Sequence, residues 1–225
     1  MFHGDAGLLN RETNRRGAII LCGGKSSRMG TAKALLPVGP ELMLQRVVRI
    51  MSEVVATDNM VVVSAVGQRL PELPEGIQFA TDAREGRGPL QGLAAGLETL
   101  ADRVDAVYAT SCDVPLLLPA FVERMFELIG DDNAGGWDIA VPRDGKFHHP
   151  LAAVYRVSVL AHIKKLLAAD RLRPLYLIQE MNSLEVPVEQ LRSVDPELVS
   201  LENLNHREEY FAALEKLGFP RPEGC

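Results

Sequence analysis

The feature that most constrains this chain is the stretch of residues 17–39, GAIILCGGKSSRMGTAKALLPVG. It opens on a short apolar run, Ala18, Ile19, Ile20 and Leu21, of the length and branching that suit a buried strand. The run breaks into Cys22, Gly23, Gly24, Lys25, Ser26, Ser27, Arg28, Met29 and Gly30, with Lys33 three residues on. Backbone without side chains at Gly23 and Gly24 lets main-chain N–H groups come close to a phosphate. Lys25, Arg28 and Lys33 add three cations, and Ser26 and Ser27 add hydroxyl donors. Such a composition makes a polyphosphate cradle. Two better-known phosphate loops do not fit it. The Walker loop needs a glycine five positions before its Gly-Lys-Ser element, and for Gly24, Lys25 and Ser26 that position is Ile19. The dinucleotide fingerprint needs Gly-x-Gly-x-x-Gly, and Lys25 stands where its second glycine should be. An ordinary glycine-rich turn with solvated charges would account for Gly23 and Gly24, but not for Arg28, Gly30 and Lys33 in register with them.

Beyond the loop, strand and helix patterns alternate. Residues 41–55 place Leu44, Val47, Val48, Met51, Val54 and Val55 at helical spacing for one buried face. Residues 59–65 (NMVVVSA) read as a buried parallel strand, and residues 77–80 as a short one. Leu90, Leu93, Ala94, Leu97 and Leu100 predict a second amphipathic helix with Pro89 in its first turn. Residues 105–110 (DAVYAT) form the next strand, followed by a helix from Pro119 with Val122, Met125, Phe126 and Ile129 inward. Further on, strands are expected at residues 137–142 and 151–155, and helices at 158–168, 174–181 and 206–217. This order predicts an α/β fold with a doubly wound, mostly parallel sheet and flanking helices in a single domain. Within residues 17–217 a nucleotide-binding half spans about 17–130 and an acceptor-side half about 131–217. Residues 1–16 read as a flexible N-terminal extension and 218–225 as a tail.

Composition narrows the classes. A chain of 225 residues suits one α/β domain with a full core. Although 47% of residues are hydrophobic, no charge-free run approaches the ~18 residues of a membrane span, so no membrane association is expected. Asp5, Arg11, Glu12 and Arg15 interrupt any apolar stretch that would read as a signal peptide. Three cysteines without pairing-like spacing point to a reducing cytoplasm rather than a disulfide scaffold. A net charge of −6 makes nucleic acid an unexpected partner. An anionic ligand must therefore be drawn by local cations.

Asp113 is the second anchor. A carboxylate just past a buried strand lies at the carboxyl edge of the sheet, where open α/β folds take ligands. Mg²⁺ accepts one or two carboxylates plus the substrate's own phosphates, which is a role for Asp113; capping of the turn at Pro115 is the plainer one. Asp82 also follows a strand. Gly86, Gly88, Pro89, Leu90 and Gly92 place a loop before a helix N-terminus, which can receive an anion or allow close packing to a nucleotide. His148 and His149, beside Pro150, read either as acceptor contacts or as polar groups at a strand end.

In order and spacing, Leu21 through Lys33, Asp82, the Gly88-Pro89-Leu90-x-Gly92 element, Cys112-Asp113-x-Pro115, His149-Pro150-Leu151 and Asn203-Leu204-Asn205 resemble the molybdenum cofactor guanylyltransferases over residues 17 to about 217. The loop alone, L-x-G-G-x-S-x-R-M-G-x-x-K, is similar to the signature of nucleotidyltransferases related in fold to the nucleotide-diphospho-sugar transferases. The resemblance implies transfer of GMP from GTP to the phosphate of a molybdenum-bearing molybdopterin, with Mg²⁺ as cofactor and release of pyrophosphate. It implies that Leu21, Cys22, Gly23, Gly24, Lys33, Ser64, Asp82 and Asp113 bind the nucleotide. Arg28, Lys33 and Asp113 would serve catalysis, Asp113 and Asn205 the metal, and His149 and Asn205 the acceptor. Other cofactor-biosynthesis or molybdoenzyme-maturation proteins are implied partners. The chain departs from the family at Cys22, where alanine is usual, at Ser64, where asparagine is common, and after Asn205, where His206 and Arg207 replace Thr-Pro. Cytidylyltransferases acting on the same cofactor or on other phosphorylated alcohols are the rival reading, which Gly23, Gly24 and the Gly88-Pro89-Leu90 element disfavour.

Positioning and charge stabilisation would dominate such a reaction, and no general base is expected of the protein. A non-catalytic nucleotide-binding module is the competing reading of another class; Arg28, Lys33 and Asp113 together argue against it. Cys22 and Cys112 end strands expected to be neighbours in the order 3-2-1-4. Packing is the plain reading. The sharper one holds that nearby cations favour thiolate at Cys22 and make the site thiol-sensitive.

Overall fold

The computed structural model describes residues 15–22, 32–82, 87–130 and 136–222. The opening apolar run forms β1 (Arg16–Leu21), buried from Gly17 onward. After Lys33, two short strands, β2 (Pro37–Val38) and β3 (Glu41–Leu42), pair antiparallel. The turn between them uses Gly39 at φ 64°, where an added Cβ would lie 2.5 Å from the Phe219 ring. The helix expected from residue 41 therefore starts later, as α1 (Met43–Ser52). Leu42 pairs as a strand while its N–H donates to Gln45 Oε1 at 2.9 Å. The inward face is as read: Leu44, Val47, Val48 and Met51 are fully buried. Deleting such a side chain to alanine typically destabilises by about 2–5 kcal/mol.

The alternation continues through β4 (Met60–Ala65), β5 (Gln78–Asp82), α2 (Pro89–Leu100), β6 (Ala106–Ser111) and α3 (Pro119–Ile129). Next come β7 (Ile139–Asp144), β8 (Phe147–His148), β9 (Ala153–Arg156), α4 (Leu160–Ala168), α5 (Pro174–Glu180), β10 (Ser183–Pro187) and α6 (Arg207–Lys216). Strand β10 escapes the sequence reading, because Glu185 is exposed and the run is short and ends in Pro187. It is an edge strand, where proline and charge are tolerated.

The sheet runs β10-β7-β9-β6-β1-β4-β5. All contacts in it are parallel except those of β9 with β6 and β7, and of β8 with β7. The expected 3-2-1-4 order is present as β5-β4-β1-β6, and with β7 and β10, which run the same way, six strand ends open at one carboxyl edge. One core, carrying Leu44 and Val48 of α1 and Phe121 and Met125 of α3, covers one face of the sheet. Another, with Leu93 and Leu97 of α2 and Ile163 of α4, covers the other. Helix α2 lies so close to β1 that a Cβ on Gly96 would meet Ile19 at 2.7 Å. A third cluster joins Leu36, Val38 and Met43 to Tyr210 and Leu214 of α6.

Two boundaries differ from expectation. Arg15 and Arg16, assigned to the extension, belong to the fold: Arg15 pairs with Asp105, and the Arg16 guanidinium lies 4.9 Å from the Phe126 ring centre. Phe219, assigned to the tail, docks on the third cluster, and its N–H donates to Leu214 O at 2.9 Å. Among the described residues no helix is long and apolar enough to cross a membrane.

Candidate active site

Three predicted residues far apart in sequence meet at the carboxyl edge. The Lys33 ammonium donates to Asp113 Oδ2 at 2.6 Å and to Asn205 Oδ1 at 3.1 Å. Lys33 sits in a single 3₁₀ turn, Lys33–Leu35, whose Ala34 is buried. Asp113 follows β6, a strand buried at every position, so its carboxylate is held at the rim of the core. Asn205 lies just before α6.

The carboxylate of Asp113 is fixed from its other side. Ser111 Oγ donates to Asp113 Oδ1 at 2.5 Å, and Asn203 Nδ2 donates to the same oxygen at 3.2 Å. Leu204 N–H donates to Asp113 O at 3.0 Å, closing a main-chain link between the two segments. Glu209 Oε2 accepts from Asn205 N at 2.5 Å and His206 N at 2.9 Å, which caps α6 and holds the Asn205 turn. Those N–H donors keep the Glu209 carboxyl below its usual range, the Asn205 bond first. Arg46 of α1 donates to Pro115 O at 2.7 Å and steadies the turn after Asp113. Ser111, Asn203 and Glu209 were given no role by the sequence reading. A serine two residues before the strand-end aspartate and a glutamate in the first turn of α6 were the signals available.

Asp113 Oδ2 and Asn205 Oδ1 both face one positive centre, the Lys33 ammonium. One carboxylate and one neutral oxygen around a cation form a donor set that suits Mg²⁺ when phosphates supply other ligands. Among the described residues no group of three or more His, Cys, Asp or Glu is arranged to hold a metal. Asp113 Oδ2 and Asn205 Oδ1 thus offer two oxygens to an ion whose other ligands come from phosphates.

On the other side of β1, Ser64 and Asp82 stand at the ends of β4 and β5, with Ser64 paired to Thr81 and Ala65 to Asp82. Gln68, unassigned by sequence, ties this side together: its Nε2 donates to Cys22 O at 3.0 Å and its Oε1 accepts from Ala65 N at 3.1 Å. Leu21 ends β1 and packs toward Gly92 of α2. Gly23, Gly24 and Arg28 lie outside the described residues.

Cys22 and Cys112 are neighbours, as the strand order required: Cys112 N–H donates to Leu21 O at 3.0 Å. Both are buried free thiols. The expectation of a thiolate at Cys22 is overturned. A hydrogen bond with Cys112, burial and the Asp113 charge all push its pKa well above the ordinary value. Packing at the sheet edge is the reading that stands.

His148 ends β8, and His149 begins the turn into β9. Because β9 runs against β6, this turn opens at the same edge as Asp113. His148 Nε2 lies 3.3 Å from Glu185 Oε2. His149 N–H donates to Pro142 O at 2.9 Å. Burial lowers the His149 pKa, His148 lowers it further, and Asp144 opposes both.

A doubly wound sheet whose carboxyl edge carries a lysine bonded to both an aspartate and an asparagine defines an α/β protein with polar groups gathered where open sheets of this kind take ligands. Comparison with known proteins makes the assignment specific. The chain belongs to the MobA-like NTP transferase domain family, whose model matches residues 18–186. A probable molybdenum cofactor guanylyltransferase from Methanosarcina acetivorans is 32% identical over 210 residues, 86% of this chain and 87% of that protein. One from Pelotomaculum thermopropionicum is 35% identical over 187 residues, covering 83% and 86%. Among solved structures, molybdopterin-guanine dinucleotide biosynthesis protein A from Archaeoglobus fulgidus superposes with a TM-score of 0.72 at 21% identity, covering 90% of this chain and 98% of that one. The 4-diphosphocytidyl-2C-methyl-D-erythritol synthase of Anaerococcus prevotii gives 0.62 at 11% identity, covering 90% and 96%. A guanine dinucleotide biosynthesis protein and a diphosphocytidyl synthase thus share this fold, and the fold alone does not choose the base.

Proposed function

We propose that the protein transfers GMP from GTP to the phosphate of a molybdenum-bearing molybdopterin, releasing pyrophosphate. The observation that carries this reading is the convergence of Lys33, Asp113 and Asn205 at the carboxyl edge, in a chain whose relatives bear the guanylyltransferase name. The acceptor phosphate is already largely ionised, so the protein needs to orient two anions and offset charge rather than remove a proton. Lys33, with Arg28 and the N–H groups of Gly23 and Gly24, would neutralise the α-phosphate and the departing pyrophosphate. Leu21, Cys22, Ser64 and Asp82 would line the nucleotide. His149, on the β9 side, would face the acceptor. Asp113 and Asn205 would hold Mg²⁺, which when bound withdraws charge from the phosphate oxygens. The buried free thiols Cys22 and Cys112 accord with work in a reducing cytoplasm.

The test is pyrophosphate release from GTP or CTP with Mg²⁺ and molybdenum-loaded molybdopterin. GTP is expected to be preferred, because a wrong base leaves buried polar groups unpaired at about 1–3 kcal/mol each. Equal or faster turnover with CTP would move the protein to the cytidylyl class.

A further inference from the structure

The described contacts of Asp113 are divided between its oxygens. Oδ1 takes the Ser111 hydroxyl and the Asn203 amide, while Oδ2 takes the Lys33 ammonium, which also holds Asn205 Oδ1. The Lys33–Asp113 pair is sheltered, with side chains 18% and 12% exposed. The two oxygens that suit a divalent cation are therefore the two that the ammonium occupies. Adding a divalent ion while the ammonium stays would bring two cations to one carboxylate oxygen, and their repulsion disfavours the doubly occupied state. The main chain at Lys33 is anchored, since Leu36 N–H donates to Lys33 O at 3.1 Å and Met43 N–H to Leu36 O at 2.8 Å. The ammonium can leave by rotation of its own four-carbon stem, without moving the fold.

We infer that Lys33 holds the place of the metal in the nucleotide-free protein. A triphosphate draws the ammonium onto its own oxygens, and that exchange opens Asp113 Oδ2 and Asn205 Oδ1 to the divalent cation. The inference rests on the metal role given above to Asp113. It makes nucleotide and metal mutually reinforcing ligands and denies stray divalent ions a site on the empty enzyme. By linkage, the factor by which nucleotide tightens metal binding equals the factor by which metal tightens nucleotide binding.

Mn²⁺ titration by calorimetry, with and without a non-hydrolysable GTP analogue, tests this on the wild type, Lys33→Met and Asp113→Asn. Nucleotide-free Lys33→Met should bind Mn²⁺ about fivefold or more tighter than wild type, within the usual range of site-to-site coupling. The analogue should tighten Mn²⁺ binding much more in the wild type than in Lys33→Met. Mn²⁺ binding to Lys33→Met that is equal to wild type, weaker or unmeasurable overturns the inference. If Lys33→Met does not fold, Lys33→Gln, which keeps a donor without the charge, gives the same test with the same outcomes. Asp113→Asn separates the two levels. If it leaves Mn²⁺ binding with the analogue unchanged, the metal role of Asp113 itself fails. If it weakens that binding while the Lys33 variants gain nothing, only the place-holding role falls.

Discussion

Strand β6 carries an aspartate just outside each end, and the two are used in opposite ways. At the amino end, Asp105 accepts from the Arg15 main chain at 3.0 Å and from its guanidinium at 3.2 Å, with side chains 58% and 39% exposed. At the carboxyl end, Asp113 meets Lys33 at 2.6 Å in shelter, with Ser111 and Asn203 on its other oxygen. Asp105 staples the start of β1 to β6, and water screens its charge. Asp113 is held in one orientation by groups from three separate segments, which is the condition for a charge to act on a substrate without reorganising. Ion pairs across a sheet are thus not equivalent; shelter and the number of fixing bonds separate a staple from a site.

The sharpest way to break this comparison is to neutralise each aspartate in turn. Asp113→Asn should lower GTP-dependent pyrophosphate release by about 10²–10³, while Asp105→Asn stays within about twofold of wild type. Similar losses in both variants would erase the distinction. Asn203→Ala comes next. A hydrogen bond to a charged group contributes about 1.5–3 kcal/mol, so kcat should fall about tenfold or more. KM for GTP should change little if Asn203 acts through Asp113. A rise in KM with kcat intact would make it a nucleotide contact instead.

The third prediction concerns pH. His149 has a folded pKa below its ordinary value of about 6.5, burial being the first cause. Between those two values the unfolded chain binds the extra proton, so its contribution to stability is intact above about pH 6.5 and is lost as pH falls toward the folded value. The urea midpoint should therefore decline on acidification from pH 7.5 to 5.5, and less so in His149→Gln. Glu209 acts in a separate window. Its lowered pKa gives stability present above about pH 4.3 and lost below it, as the folded value is crossed. Identical pH profiles for wild type and His149→Gln would remove His149 from the account. The smallest effect belongs to Arg15→Ala, expected to destabilise by less than about 1 kcal/mol in chemical denaturation. A larger loss would mean that the amino-end staple matters more than its exposure indicates.

Much of the fold could be read in advance because periodicity reports burial directly. The apolar run of β1, the spacing of Leu44, Val47, Val48 and Met51, and Pro89 and Pro119 at the starts of α2 and α3 all hold. The misreadings share a physical cause. β2, β3 and β10 are short or edge strands that bury little, so they leave no pattern, and the Gly39 turn is explained by Phe219, which lies far along the chain. At Cys22 the plain reading, packing, holds, while the thiolate alternative fails because burial and the neighbouring thiol push its pKa up.

The sequence by itself determined that β1 feeds a glycine-rich cationic loop and that a carboxylate stands just past a buried strand. It also determined that strand and helix alternate into a doubly wound sheet, since local composition and periodicity depend only on neighbours in the chain. Only the tertiary structure decided that Lys33 reaches Asp113 across 80 residues and Asn205 across 172. It also decided that Ser111 and Asn203 share one oxygen of Asp113 while the ammonium keeps the other. Which distant strand ends lie side by side is set by hydrogen-bond register across β1 and β6 and by the docking of α6, and no local pattern carries that information.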